Sequence, residues 1–258
     1  MKDTDMDTGK FFKFCYGAEP SVFTEKVITT PFIALDKFKK EVDVRDEFRG
    51  RLYSGFVAEY NGERITVIHC GIGDRLMGDA VLLLEGTCAK KLLFTGTCGG
   101  LSAGAIGDFI IGDEAVNGEG FTRYYDDAFS IRGMTNKGNT IRSGTALTAG
   151  LAEFLGGREE ISPKVISGPV FTIGSLMAET RENMLFLKEN GFAGVDMELS
   201  SVYKAAELAG IEAAGLLAVS DLPLDKRLEE GMDPDEARAF KKSLDDLVCI
   251  AVQFTISV

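Results

Sequence analysis

The chain has one histidine, His69, and five cysteines that are odd in number and show no C-x-x-C spacing. His69 sits inside the apolar run 64-RITVIHC-70 and reads as structural. A Ser-His-Asp mechanism, which needs its histidine at a site mouth, is therefore not expected. The scattered Cys15, Cys70, Cys88, Cys98 and Cys249 suggest neither a disulfide framework nor a zinc site, and fit a reducing cytoplasm. Cations are scarce: 28 Lys and Arg stand against 40 Asp and Glu, a formal net charge of −12. A nucleic-acid binder displays a basic face that releases counterions, so nucleic acid is not an expected partner. The N-terminus shows no long apolar stretch, and no run approaches the roughly 20 apolar residues that cross a bilayer. A soluble, cytoplasmic protein without a membrane partner is expected. The Gly-Lys-Ser/Thr ending of a Walker loop and the Gly-x-Gly-x-x-Gly dinucleotide fingerprint are both missing, which argues against ATP and NAD.

What is present suits one large α/β domain: 258 residues, 45% hydrophobic and 26% charged, enough to bury a sizeable core. Residues 1–22 show no clear period and read as an N-terminal arm or cap, with the domain proper over 23–258. Short β-branched apolar runs alternate with segments of helical period, as strands and helices do around a buried sheet. Strands are predicted at 27–30, 53–60, 64–70, 91–96, 108–116, 165–172 and 213–220. Helices are predicted at 76–91, 145–156, 198–210 and 234–254. Asn61-Gly62 between two strand-like runs signals a tight hairpin.

Three local features could carry chemistry. The stretch 94-FTGTCGGLSAGAIGDFIIGDEAV-116 places glycines, Thr95 and Thr97 directly after a buried strand, where backbone N–H groups can cradle an anion or a sugar hydroxyl. It serves equally as a plain turn. In 194-GVDMELSSVYKAAELAG-210, Asp196 and Glu198 flank Met197 at a strand-to-helix junction. Carboxylates accept from paired sugar hydroxyls, and a thioether packs on a sugar's apolar face. The alternative is an acidic helix N-terminus stabilised by the macrodipole. At 217-LAVSD-221 an apolar strand ends in Ser220 and Asp221, at the strand end where open α/β sheets bind ligands. Asp221 suits an acid toward a departing group, or a turn and capping residue.

In this order and at these separations, 49-RGRLYSGFVAEYNGERITVIHCGIG-73, 96-GTCGGL-101, 107-GDFIIGDEAV-116, 118-GEGFTRYY-125, 194-GVDME-198 and 219-VSD-221 resemble the nucleoside phosphorylase-I family, over roughly residues 24–250. The resemblance implies a three-layer α/β/α single domain with a twisted mixed central sheet, and a homodimer or homohexamer. It implies cleavage of a nucleoside's N-glycosidic bond, with purine preferred because uridine-specific relatives lack an aspartate equivalent to Asp221. Asp221 then protonates the leaving base, and Met197 and Glu198 hold the ribose, with Asp196 and Ser220 beside them. Phe171 and Thr172, after Val170, form the base wall. Thr97 and the backbone of Gly96 contact phosphate, water or sugar.

Two phosphate arginines of the family are missing: the first loop reads 30-TPFIALDKF-38, and Phe94 stands at the second position. Arginine's planar donors suit phosphate and phenylalanine cannot replace them. Arg49 matches an arginine that a neighbouring subunit lends, while Arg75 and Arg123 are further candidates for phosphate. The nucleosidase branch carries a water-activating carboxylate where Asp36 falls, so Asp36 is a candidate catalytic residue or a helix cap. Inorganic phosphate is kept as a co-substrate, and no metal or organic cofactor is expected. A noncatalytic nucleoside-binding protein and a nucleotide-directed N-glycosidase are the alternatives on the same fold.

Overall fold

The computed structural model describes residues 7–102, 104–118, 140–158 and 163–258. One mixed sheet contains β1 (Lys26–Thr30), β2 (Asp43–Arg49), β3 (Ser54–Tyr60), β4 (Glu63–His69), β5 (Lys91–Gly100), β6 (Phe109–Gly118), β7 (Thr140–Arg142), β8 (Val165–Ile173), β9 (Gly194–Asp196) and β10 (Glu212–Asp221). The helices are α1 (Thr8–Tyr16), α2 (Leu35–Phe38), α3 (Asp74–Leu83), α4 (Thr145–Gly156), α5 (Arg181–Glu189), α6 (Leu199–Ala209) and α7 (Pro234–Ser257). The sheet order is β10-β6-β8-β9-β5-β1-β4-β3-β2, and β10 also pairs with β5. That extra pairing bends five strands into a closed ring, from which β1, β4, β3 and β2 extend as an open wing.

Both faces of the sheet are covered, which is why its inner strands carry continuous buried runs rather than a strict alternation. One core gathers Phe12 and Tyr16 of α1, Met77 and Val81 of α3, and Val202 and Tyr203 of α6. The opposite core gathers Phe38 of α2, Leu151 of α4, and Leu247, Ile250 and Phe254 of α7. The layers are therefore helix, sheet, helix, the architecture expected from the sequence.

Local sequence explains most boundaries. Asn61 and Gly62 both adopt positive φ, 52° and 84°, the mirror-image turn that matches strand twist, and Tyr60 pairs with Glu63 across it. The helix expected at 145–156 occupies those residues. The C-terminal helix begins at Pro234, after Asp233 accepts from the N–H groups of Asp235 and Glu236, and Glu236 reaches back to the N–H of Asp233.

Three departures have physical causes. The helix expected over 76–91 begins at Asp74 and ends at Leu83 in a short 3₁₀ turn, because Lys91 already belongs to β5. The arm is helical over Thr8–Tyr16, and the Tyr16 hydroxyl donates to the Ala80 carbonyl at 2.7 Å, tying it to the core. The edge strand β2 carries charge at Asp43, Arg45, Asp46, Glu47 and Arg49, and so lacks the alternation that marks a half-buried strand.

Candidate active site

The carboxyl ends of β1, β4, β5 and β10 meet on one side of the ring. Parallel register brings Asp221 opposite Gly99, and β9 runs back against the end of β5 with Val195 opposite Gly99. A cleft of about 370 Å³ opens there. Thr97, Cys98 and Gly99 form its floor, and Asp196, Met197 and Glu198 one wall. Ser220, Asp221 and Glu179 form another, with Pro31, Phe32 and Ile72 at the rim.

The Asp196–Glu198 junction is fixed by hydrogen bonds. Asp196 Oδ2 accepts from the N–H groups of Glu198 (3.1 Å) and Leu199 (2.7 Å), satisfying donors that the start of α6 leaves free. Its Oδ1 accepts from the Thr172 hydroxyl at 2.7 Å, and Thr172 Oγ1 in turn accepts from the Ser200 N–H at 2.9 Å. With its oxygens so engaged, Asp196 sets the junction and turns the next carboxylate into the cleft. Glu198 Oε1 accepts from the Gly73 N–H at 2.7 Å. Gly73 can present that N–H because its φ of 108° suits glycine.

Burial raises the pKa of both carboxyls. For Glu198 the nearby Asp196 adds to the effect and the Gly73 N–H opposes it. For Asp196 the Thr172 hydroxyl and the N–H groups of Leu199 and Glu198 oppose burial. Asp221, also buried, is raised chiefly by desolvation, against the hydrogen bond from Ser220 Oγ at 2.9 Å. A bulge between Val219 and Asp221 lets Ser220 lie within reach of both Asp221 and the Cys98 carbonyl. Glu179 is pushed up to about 7 by burial first and by Asp221 second, with Arg227 acting against them. A carboxyl whose pKa is raised by burial keeps its proton to higher pH than an exposed one, which suits general acid work.

A strap from Leu222 to Asp233 covers this end of the cleft and contributes Leu228 and Met232. It is fastened to the loop after β8: Arg227 Nη2 donates to the Glu179 carbonyl (2.9 Å), and Arg181 Nη1 to the Leu224 carbonyl (3.0 Å). Pro223 lies over Gly99 so closely that a β carbon there would meet Pro223 Cγ at 2.6 Å.

The structure brings Thr97, Asp196, Met197, Glu198, Ser220 and Asp221 together in the cleft. Phe171 and Thr172 are fully buried behind it, Phe171 against Phe192 and Thr172 on Asp196. Gly96 lies within β5 over the ring of Phe94, which is itself in the core. Asp36 is on α2, its side chain 88% exposed and 3.9 Å from Lys39 Nζ, and is not among the residues that line the cleft. Arg49 is exposed at the end of β2, and Arg75 on the first turn of α3 beside Gly73. Arg123 lies outside the described residues. His69 is half-buried at the end of β4, opposite Ser54 and Thr30. Glu179 was not singled out from the sequence. The reading that selected Asp221, a strand that ends in a Ser-Asp pair, does not reach Glu179, which lies six residues past the end of β8 at Ile173.

Residues 29–253 match the model of the family described as the Phosphorylase superfamily. The chain belongs to this superfamily. It is similar to guanosine phosphorylase of Halorubrum lacusprofundi, 25% identical over 73% of each chain. Among solved structures, uridine phosphorylase from Vibrio fischeri superposes with a TM-score of 0.75 at 21% identity, covering 92% of this chain and 93% of that one. Purine nucleoside phosphorylase from Toxoplasma gondii gives 0.75 at 22% identity, covering 93% of each. This phosphorylase-superfamily chain is an enzyme, and its reaction class is cleavage of a nucleoside's N-glycosidic bond. Among the described residues no helix is long and apolar enough to cross a membrane.

Proposed function

We propose that the chain cleaves purine nucleosides with water as the nucleophile. The observation that carries this reading is the absence of cationic side chains: the described lining of the cleft includes Glu179, Asp196, Glu198 and Asp221, and no Lys, Arg or His. A phosphate anion entering such a lining finds none of the bidentate donors it favours. A neutral water needs none. In this reading Glu198 accepts from the ribose hydroxyls, Met197 packs on the sugar, and Thr97 with the Gly96 backbone faces the attacked side. Asp221, held by Ser220, gives its proton to the N7 side of the base, so the base leaves neutral. Water adds to the anomeric carbon and releases a proton to solvent. The guanosine and purine nucleoside activities named for the relatives support a purine.

Incubation with inosine or adenosine, with and without phosphate, tests the nucleophile. Free ribose should form at the same rate in both conditions. Ribose 1-phosphate formed only when phosphate is present would overturn the water reading.

A second reading keeps phosphate as co-substrate and is favoured by Arg49 and Arg75, which are exposed on the side of the sheet where Ile72 forms the rim. In a homodimer or homohexamer, Arg49 of one copy would serve the cleft of its neighbour. Either reading suits a cytoplasmic enzyme.

Asp36 takes no part in the water reading despite its place in the motif. Asp36→Ala should leave kcat/KM for nucleoside cleavage within about twofold of the parent, as for an exposed surface substitution. A loss of about a hundredfold would return Asp36 to the reaction as a general base.

A further inference from the structure

The base end of the cleft continues into a second cavity of about 480 Å³. Leu176, Glu179, Asp221 and Leu228 line both spaces, so the two meet at the carboxyls of Glu179 and Asp221, while Met197 and Glu198 line the first space alone. The second cavity adds Met177, Pro223, Arg227 and Glu229. Its lip is apolar: Leu176 is 54%, Met177 73% and Leu228 56% exposed. Three large apolar side chains left open at the mouth of a substrate cleft gain by being covered, at roughly 25 cal/mol per Å² of apolar surface removed from water.

We propose that this annex is a subsite for an apolar substituent on the C6 edge of the purine, making base-extended nucleosides substrates. The proposal rests on the purine reading above. A purine's N7 and its 6-substituent share one edge. With Asp221 on N7, the adjoining 6-substituent points past Asp221, which is where the annex begins. The first cavity alone lies within the usual range of small-molecule sites, about 300–1,000 Å³. An unmodified nucleoside therefore has no need of the annex. A flat aromatic or branched alkyl group on the 6-amino nitrogen would cover Leu176, Met177 and Leu228 while leaving that nitrogen one N–H for Glu179 or Asp221. The other features of the strap agree: Arg227 is committed to the Glu179 carbonyl and to Glu229 at 3.3 Å, which makes a charged substituent a poorer fit than an apolar one.

The test compares N6-benzyladenosine with adenosine as substrates of the full chain, following release of each base by chromatography. The benzyl nucleoside should be cleaved with a kcat/KM at least equal to that of adenosine. Met177→Asp, at an exposed residue that lines only the annex, should lower the benzyl-to-adenosine ratio by about tenfold, the scale of a lost apolar contact in a specificity pocket. Adenosine cleavage by that variant should stay unchanged. Adenosine cleavage with the benzyl compound refused, or a ratio that Met177→Asp does not move, would overturn the annex and leave the purine reading standing. Failure to cleave adenosine, inosine and the benzyl compound alike would overturn both.

Discussion

Asp221→Asn should lower kcat/KM for purine nucleoside cleavage by about 10²–10⁴-fold, the usual contribution of a positioned proton donor, while substrate affinity changes little. The asparagine keeps the volume and still reaches the base, yet it has no proton to give to a leaving anion. The pH profile separates this from a merely structural role. Burial holds the Asp221 carboxyl above its ordinary value, so the protonated form persists to higher pH than for an exposed aspartate. In the parent enzyme, the rate should therefore fall on the alkaline side as that proton is lost. That limb should vanish in the variant. A variant that keeps both the parent rate and the alkaline limb would remove Asp221 from the proton transfer.

Glu198→Gln should be nearly as damaging, with kcat/KM down about 10²–10³-fold, on the scale of deleting one preorganised electrostatic contact to the transition state. As the ribose becomes oxocarbenium-like, a carboxylate on its hydroxyls gains in strength specifically in that state, and a neutral amide gains much less. The same substitution should stabilise the unliganded protein. The folded-state pKa of Glu198 lies above its ordinary value of 4.5, so its contribution to stability is fully present below that value. It is lost as pH rises through the raised value, because the folded state must then hold an unfavourable buried charge beside Asp196. Glutamine removes that loss. Thermal melting of the free protein at pH 8 should shift up by a few degrees in the variant, with little shift at pH 4. Equal shifts at both pH values would mean that the glutamine acts through packing and that Glu198 carries no such strain.

Much of this architecture is legible in the chain itself, for reasons that differ from segment to segment. The central strands are apolar enough to announce burial on both faces, and Asn61-Gly62 specifies its own turn. The 145–156 helix is bounded by Gly144 before it and Gly157 after it. Asp196, Met197, Glu198, Ser220 and Asp221 were legible because each stands at a strand end, where side chains leave the sheet together. Asp36, which the resemblance put in the reaction, does not line the described cleft. Pro31 and Phe32 occupy the rim, and the single turn of α2 carries Asp36 outward toward Lys39. Phe171 and Thr172 were assigned to the base wall, but the parallel pairing of β8 with β9 turns Thr172 onto Asp196 and Phe171 into the core. Glu179 escaped notice because its place in the cleft depends on the strap from β10 folding over the loop after β8, a contact between segments more than 40 residues apart in sequence.

The closed ring of β10, β6, β8, β9 and β5 separates what must stay constant from what is free to change. Its strands have no unpaired edge within the circle, so the floor under the cleft is braced by main-chain bonds that are indifferent to side-chain identity. The strap and the loop after β8 are fastened to one another from outside the circle. On the annex proposed above, replacing them would alter which leaving group is admitted without reopening the frame. On the reading proposed above, substrate choice would change by exchanging those two surface segments while Glu198 and Asp221 keep their places.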